Sequence, residues 1–160
     1  MDAITLLKND HRAVKKLFRE FQQAHKKGTP GRAKIVEQII EELSFHAAIE
    51  EAILYPAVRA EVPDLEDDIL ESIEEHHGVK WTCLELTKMR PSDERYDAKV
   101  IVLSEHVNHH VEEEETEWFP KVRDAMGRKR LAELGDELAK AKKSAPRQPQ
   151  PERVAEGAAR

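Results

Sequence analysis

The chain is poor in the features that stabilise small secreted proteins. Its 160 residues include one cysteine, Cys83, so no internal disulfide can form and a stapled scaffold is excluded. Glycine is scarce, at six residues, which disfavours a fold of many short strands joined by tight turns. No apolar run approaches the roughly 18 residues that a membrane-spanning helix needs. The start, MDAITLLKNDHR, lacks the basic and apolar stretches of a signal peptide, so a soluble, cytoplasmic protein is expected. Positive charge is also short. The net charge is -6, and residues 140–160, with six basic groups against Glu152 and Glu156, carry +4 of it, leaving -10 on the rest. An acidic body with 5% aromatics argues against nucleic-acid binding, which needs clustered cations to replace phosphate counterions.

What is present points to helices. Charged residues make up 36% of the chain and hydrophobic ones 39%. Breaks at Gly28-Thr29-Pro30-Gly31, Pro63-Asp64, Arg90-Pro91-Ser92-Asp93 and Gly127 separate long apolar-periodic segments joined by short connections. The expected fold is an all-α antiparallel four-helix bundle over residues 1–126, with a short fifth helix over 127–143. Residues 144–160, rich in proline, alanine and charge without an apolar period, are expected to be a disordered tail.

The inward seams of these helices contain unusual residues. Ile4, Leu7, Val14, Phe18 and Phe21 form a 3-4 ladder, and the rung between Leu7 and Val14 is His11. Val36, Ile39, Leu43, Ile53 and Ala57 form a second, whose missing rungs are His46 and Glu50. Shifting the first ladder by 65 residues gives Ile69, Ser72, His76, Val79, Cys83 and Leu86. Shifting the second by 64 gives Val100, Leu103, Val107, His110, Glu114, Glu117 and Lys121. The chain is therefore two copies of a helical hairpin. The strings SFHAAIEEAILYP and NHHVEEEETEWFP show it directly: in both, a His is followed at i+4 by Glu, then by a second Glu, and at i+10 by Pro.

Each half thus supplies a lone His and a His-x-x-x-Glu pair, whose members share one helix face. Packed as a bundle, His11, His46, Glu50, His76, His110 and Glu114 would meet in one core layer. Unpaired buried carboxylates cost several kcal/mol each, and a domain of about 5–15 kcal/mol net stability cannot carry six uncompensated polar groups, two of them carboxylates. Metal ions remove that cost. Four His and two Glu exceed the shell of one ion, so two are expected, and a set of nitrogen and oxygen donors suits iron or manganese, with zinc possible. The mixture differs from ferritin-like sites, which rely on four Glu and two Glu-x-x-His motifs.

The order of these motifs, with the EE-x-x-x-YP and EE-x-x-WFP endings, resembles the hemerythrin-like family with the HHE cation-binding domain, over roughly residues 1–125. The resemblance implies a bundle around a non-haem di-iron centre held by His11, His46, Glu50, His76, His110 and Glu114, with Glu50 and Glu114 bridging the irons. An oxo or hydroxo bridge would complete the pair. Oxygen carriers of the family place an extra His one turn after the first ligand of the third helix. Lys80 stands there, so the oxygen-carrier pattern is incomplete.

Other candidates surround this set. His106 is a possible seventh ligand and Tyr55, equivalent to Phe119, a possible ligand or donor. Glu51, Glu115, Asp10 and Glu75 are either acceptors for ring N–H groups or surface residues. Cys83 is expected to be a small core residue, and His25, His77 and His109 flank or surface groups. The function expected is reaction with a small oxidant or gas (H2O2, O2 or NO), above all peroxide dismutation, with Glu50 and Glu114 as the catalytic bridge. The alternative is a module that binds or senses O2, NO or iron without turnover; a structural bundle with adventitious zinc is a third. Nothing marks a large apolar surface, so a monomer or weak oligomer is expected.

Overall fold

A computed structural model describes residues 1–28 and 31–150, and its regular structure is entirely helical. Helix α1 (Ala3–Lys27) starts where the Asp2 carboxylate accepts the Thr5 backbone N–H at 2.9 Å. It ends at Gly28, whose φ of 59° turns the backbone N–H onto the carbonyls of Ala24 and His25. Of the first predicted break, Thr29 and Pro30 lie outside the described residues. Helix α2 (Arg32–Ile49) runs without interruption through a π-helical turn (Glu50–Leu54) into α3 (Tyr55–Glu61). Pro63 ends that rod, and a 3-10 turn leads to α4 (Glu66–Thr87), whose first turn carries Glu66, Asp67 and Asp68 against the helix dipole. Helix α5 (Tyr96–Glu113) passes through a second π turn (Glu114–Trp118) into α6 (Phe119–Lys142), which breaks at Gly127 (φ 77°, ψ 172°). With α1 packed on α2 and α4 on α5, the chain is an all-α four-helix bundle with a short extra helix after Gly127.

The core is split into two apolar clusters, and each helix passes from one to the other at its histidine. In α1, Ala3, Ile4 and Leu7 belong to the first cluster and Val14, Phe18 and Phe21 to the second, with His11 between. In α4, Ile69 precedes His76 in the first cluster, and Cys83 and Leu86 follow it in the second. Cys83 is a fully buried core residue whose thiol burial pushes up to about 12.

Past Glu50 and Glu114 the buried positions depart from the ladders by one residue. Leu54, Tyr55 and Val58 are buried rather than Ile53 and Ala57, and Trp118, Phe119 and Val122 rather than Glu117 and Lys121. The π turns cause the shift, because each adds one residue to a turn. Their backbone signature is an i→i-5 bond: the Tyr55 N–H donates to the Glu50 carbonyl, and that of Phe119 to the Glu114 carbonyl. Pro56 and Pro120 follow immediately. Proline has no N–H to give and its ring crowds the carbonyl four residues back, so a widened turn relieves the clash.

The helix after Gly127 buries Leu131, Leu134 and Leu138 in the first cluster with Ala3, Ile4 and Leu7. Gly135 sits at the contact: a Cβ there would overlap the Met1 carbonyl oxygen and approach the Ala3 nitrogen at 3.0 Å. Gly135→Ala is expected to lower stability by about 1–3 kcal/mol, read as a fall in the urea midpoint, because backbone on both sides must yield. An unchanged midpoint would show that this helix docks loosely. Beyond it, residues 144–150 run without helix beside α2, where the Ser44 hydroxyl donates to the Pro146 carbonyl at 2.6 Å and Pro149 is buried. Residues 151–160, the rest of the expected tail, lie outside the described residues.

Candidate metal centre

All six seam residues meet in the layer between the two apolar clusters. Glu50 and Glu114 are completely buried, and His11, His46, His76 and His110 nearly so. The imidazoles come in two pairs: the Nε2 atoms of His11 and His46 are 3.1 Å apart, as are those of His76 and His110. Glu50 spans the pairs, with Oε1 2.9 Å from His46 Nε2 and Oε2 3.0 Å from His76 Nε2. Glu114 also faces both, its Oε1 lying 3.1 Å from His110 Nε2 and 3.4 Å from His11 Nε2.

The opposite nitrogen of every ring is held by a carboxylate. His11 Nδ1 lies 2.8 Å from Glu115, His46 Nδ1 3.3 Å from Asp10, His76 Nδ1 2.9 Å from Glu51 and His110 Nδ1 3.1 Å from Glu75. Asp10, Glu51, Glu75 and Glu115 are thus the ring acceptors that the sequence left undecided. A carboxylate on Nδ1 favours the N–H at that atom, which leaves the Nε2 lone pair pointing inward. With the rings neutral, four lone pairs and two carboxylates then converge on one buried layer. Glu50 Oε1 and Glu114 Oε1 are buried with no hydrogen-bond partner despite the nearby rings. A cation placed among these atoms would satisfy both oxygens, so the donor set fits a metal.

The electrostatics carry the same demand for positive charge. Burial pushes the His46 imidazole toward neutrality, but Glu50, Asp10 and Glu114 outweigh it and raise its pKa to about 10. His110 is raised against burial by Glu114 and Glu75, and His76 by Glu50 and Glu51. Burial works against ionised Glu50 as well, yet His46 and His76 hold its carboxyl well below the usual range. Protons can supply the missing charge in part, and divalent cations supply more of it. Ligand-type atoms of His11, His46, Glu50 and Glu114, and of Glu50, His76 and His110, lie within 4.8 Å of one another. This buried His/Glu cluster suits a pair of metal ions.

Comparison with known proteins agrees. The model of the hemerythrin HHE cation-binding domain matches residues 2–122. The chain belongs to that family. A solved hemerythrin HHE-domain protein from Mycobacterium kansasii shares the fold at a TM-score of 0.74 and 23% identity, covering 90% of this chain and 86% of that one. A curated protein of Nostoc sp. named DNA nickase is 30% identical over 145 residues, 89% of this chain; the chain spans only 39% of that protein's length.

Two more residues of this HHE domain complete the layer. The Tyr55 hydroxyl lies 2.8 Å from Glu50 Oε2, 3.1 Å from His76 Nε2 and 3.2 Å from Glu114 Oε2. The π turn puts it there by stacking residue 55 over residue 50. Its repeat equivalent, Phe119, instead stacks on His11 with the ring planes 5° apart. Lys80 is buried, its ammonium 2.5 Å from Oε1 of Glu51, the carboxylate that holds His76 Nδ1. His106 is exposed on α5 and does not join the cluster. His109 pairs with Glu113 at 2.9 Å, and His25 with Asp97 at 2.9 Å.

On the side of the second cluster a cavity of about 30 Å³ touches all four imidazoles. Its remaining wall is mostly aliphatic, with Val14, Leu43, Val79, Val107 and Val111. Tyr55 closes the opposite side, within the first cluster.

Proposed function

We propose that this chain holds two iron ions, one at His11 and His46 and one at His76 and His110, bridged by Glu50 and Glu114, and that the centre decomposes hydrogen peroxide. Iron fits the donor set, which is imidazole and carboxylate without thiolate. A bound pair of irons would supply paired one-electron redox steps beside the cavity. The observation that carries the reading is the convergence of four imidazoles on a mostly aliphatic cavity of about 30 Å³, with Glu50 and Glu114 spanning the two imidazole pairs. That volume has room for a molecule of about two heavy atoms, so peroxide, O2 and NO fit and organic substrates do not.

The protein's own residues prepare the site. Asp10, Glu51, Glu75 and Glu115 fix the ring tautomers, and the valine wall keeps bulk water out. Burial, with the Glu114 and Glu50 charges, raises the Tyr55 phenol well above its ordinary value, so its hydroxyl keeps a proton at the edge of the centre. Dismutation turns two H2O2 into O2 and two H2O, which balances without an outside electron donor. Lys80 stands where the family's oxygen carriers place an extra His and pairs with Glu51 instead, so each imidazole pair keeps two histidines, which favours turnover over simple oxygen carriage. The DNA activity named for the Nostoc relative is not extended to this chain, whose body carries a charge of -10 outside residues 140–160.

The test is O2 release after adding H2O2 to iron-loaded protein, beside Glu114→Ala. Sustained release by the parent, and not by the variant, is the expected result. Equal release from both would overturn the reading, and no release from either would leave the centre as a binding or sensing module.

A further inference from the structure

We propose that Lys142 is a positioning residue of the metal centre, and that the helix after Gly127 exists in part to deliver it. Lys142 Nζ is 2.6 Å from Asp10 Oδ1, and the other oxygen of Asp10 faces His46 Nδ1 at 3.3 Å. A residue 132 positions away in the chain thus completes the relay behind one ring. The inference rests on the reading of His46 as a metal ligand.

Several independent features place the lysine. Its helix is locked to α1 through Leu131, Leu134 and Leu138, with Gly135 against the Met1 backbone. Just beyond it, Pro146 accepts from Ser44, two residues before His46 on α2. Glu42 lies 3.9 Å from the same ammonium and leaves Asp10 as its short contact. The other imidazole pair has the same arrangement built from different parts, since Lys80 Nζ is 2.5 Å from Glu51 and Glu51 is 2.9 Å from His76 Nδ1. Lys80 and Lys142 are not equivalent in the repeat. Each pair therefore has one histidine whose acceptor is backed by an ammonium. Among the described residues, no lysine pairs with Glu115 or Glu75, the acceptors of His11 and His110.

A carboxylate that accepts the Nδ1–H makes Nε2 a stronger donor to metal, and a cation on its second oxygen fixes its rotamer and moderates that pull. Without Lys142, Asp10 is free to turn toward solvent, and the His46 ring loses its hold. The family match ends at residue 122, so part of this support comes from chain outside the matched domain.

The test is Mn2+ titration of Lys142→Met and Lys142→Arg beside the parent, with thermal unfolding of each metal-free protein. The parent is expected to bind two ions. Lys142→Met should bind one ion at the parental affinity and the other about 10–100-fold more weakly, with its metal-free unfolding unchanged. Lys142→Arg should restore the second ion. Parental binding of both ions by Lys142→Met would overturn the inference while leaving the two-metal reading intact. Equal weakening of both ions together with a lower unfolding midpoint, unrescued by Arg, would overturn it in favour of simple helix docking. A parent that binds no metal would overturn the two-metal reading, and the inference with it.

Discussion

Replacing Glu50 by alanine is expected to cut the iron held by each chain from two ions to one or none, counted on gel-filtered protein. The reason lies in how the carboxylate is placed. Its two oxygens face different imidazole pairs, 2.9 Å from His46 and 3.0 Å from His76, so one side chain serves both proposed ions. Removing it takes a donor from each and half of the buried negative charge that offsets two cations. Glu114 cannot make up the loss, because its Oε1 is already placed between His110 and His11 and its Oε2 lies 3.2 Å from the Tyr55 hydroxyl. Alanine also breaks the contact with Tyr55 and leaves His46 without its main counter-charge, a change of about 3–5 kcal/mol for a buried pair. Glu50→Gln separates the two effects, since it keeps the shape and an acceptor for Tyr55 but loses the charge. Both variants should lose the second iron. Two irons retained in Glu50→Gln would show that Glu50 does not bridge.

The bundle and its six inward polar residues were legible because burial writes a period. A helix seam that is otherwise Ile, Leu, Val and Phe makes His11 or Glu50 conspicuous, and the 64–65-residue repeat shows the same interruption twice. Three things could not be read that way. The π turns leave no apolar signature, and only Pro56 and Pro120, each six residues after a seam Glu, hint at them. For that reason the ladders run one residue out of register beyond Glu50 and Glu114. The acceptors Asp10, Glu51, Glu75 and Glu115 are chain neighbours of seam residues, and whether such a neighbour faces a ring or water depends on how adjacent helices are rotated. The signal was their recurrence: an acidic residue flanks one seam residue in each of the four helices. Lys142 had no local signal at all, because its role depends on where a helix 132 residues away docks.

Metal loading is expected to raise the unfolding temperature, and by more at higher pH. In the metal-free protein, His46 has a folded pKa of about 10 against 6.5 for an unperturbed ring. Stability from such a raised group is fully present below pH 6.5 and is lost as pH climbs toward 10. The loss is roughly 1.4 kcal/mol for each pH unit crossed. His76 and His110 are raised too and act in the same direction. Metal works oppositely. It must displace the protons on these rings, so its affinity grows as pH rises through the same window. Bound metal stabilises the native state by RT ln(1 + [L]/Kd), about 4 kcal/mol when free metal is 1,000 times Kd. The carboxyls Glu50 and Glu114 are both lowered, so their contribution is lost only when pH falls through their folded values, well to the acid side. Between about pH 6 and pH 9, then, the metal-free protein should weaken while the loaded one holds, and the gap in Tm between them should widen. Differential scanning fluorimetry with and without Mn2+ at the two ends of that range reads the gap directly. A gap that narrows with rising pH, or no gap at either end, would mean that these rings do not exchange protons for metal.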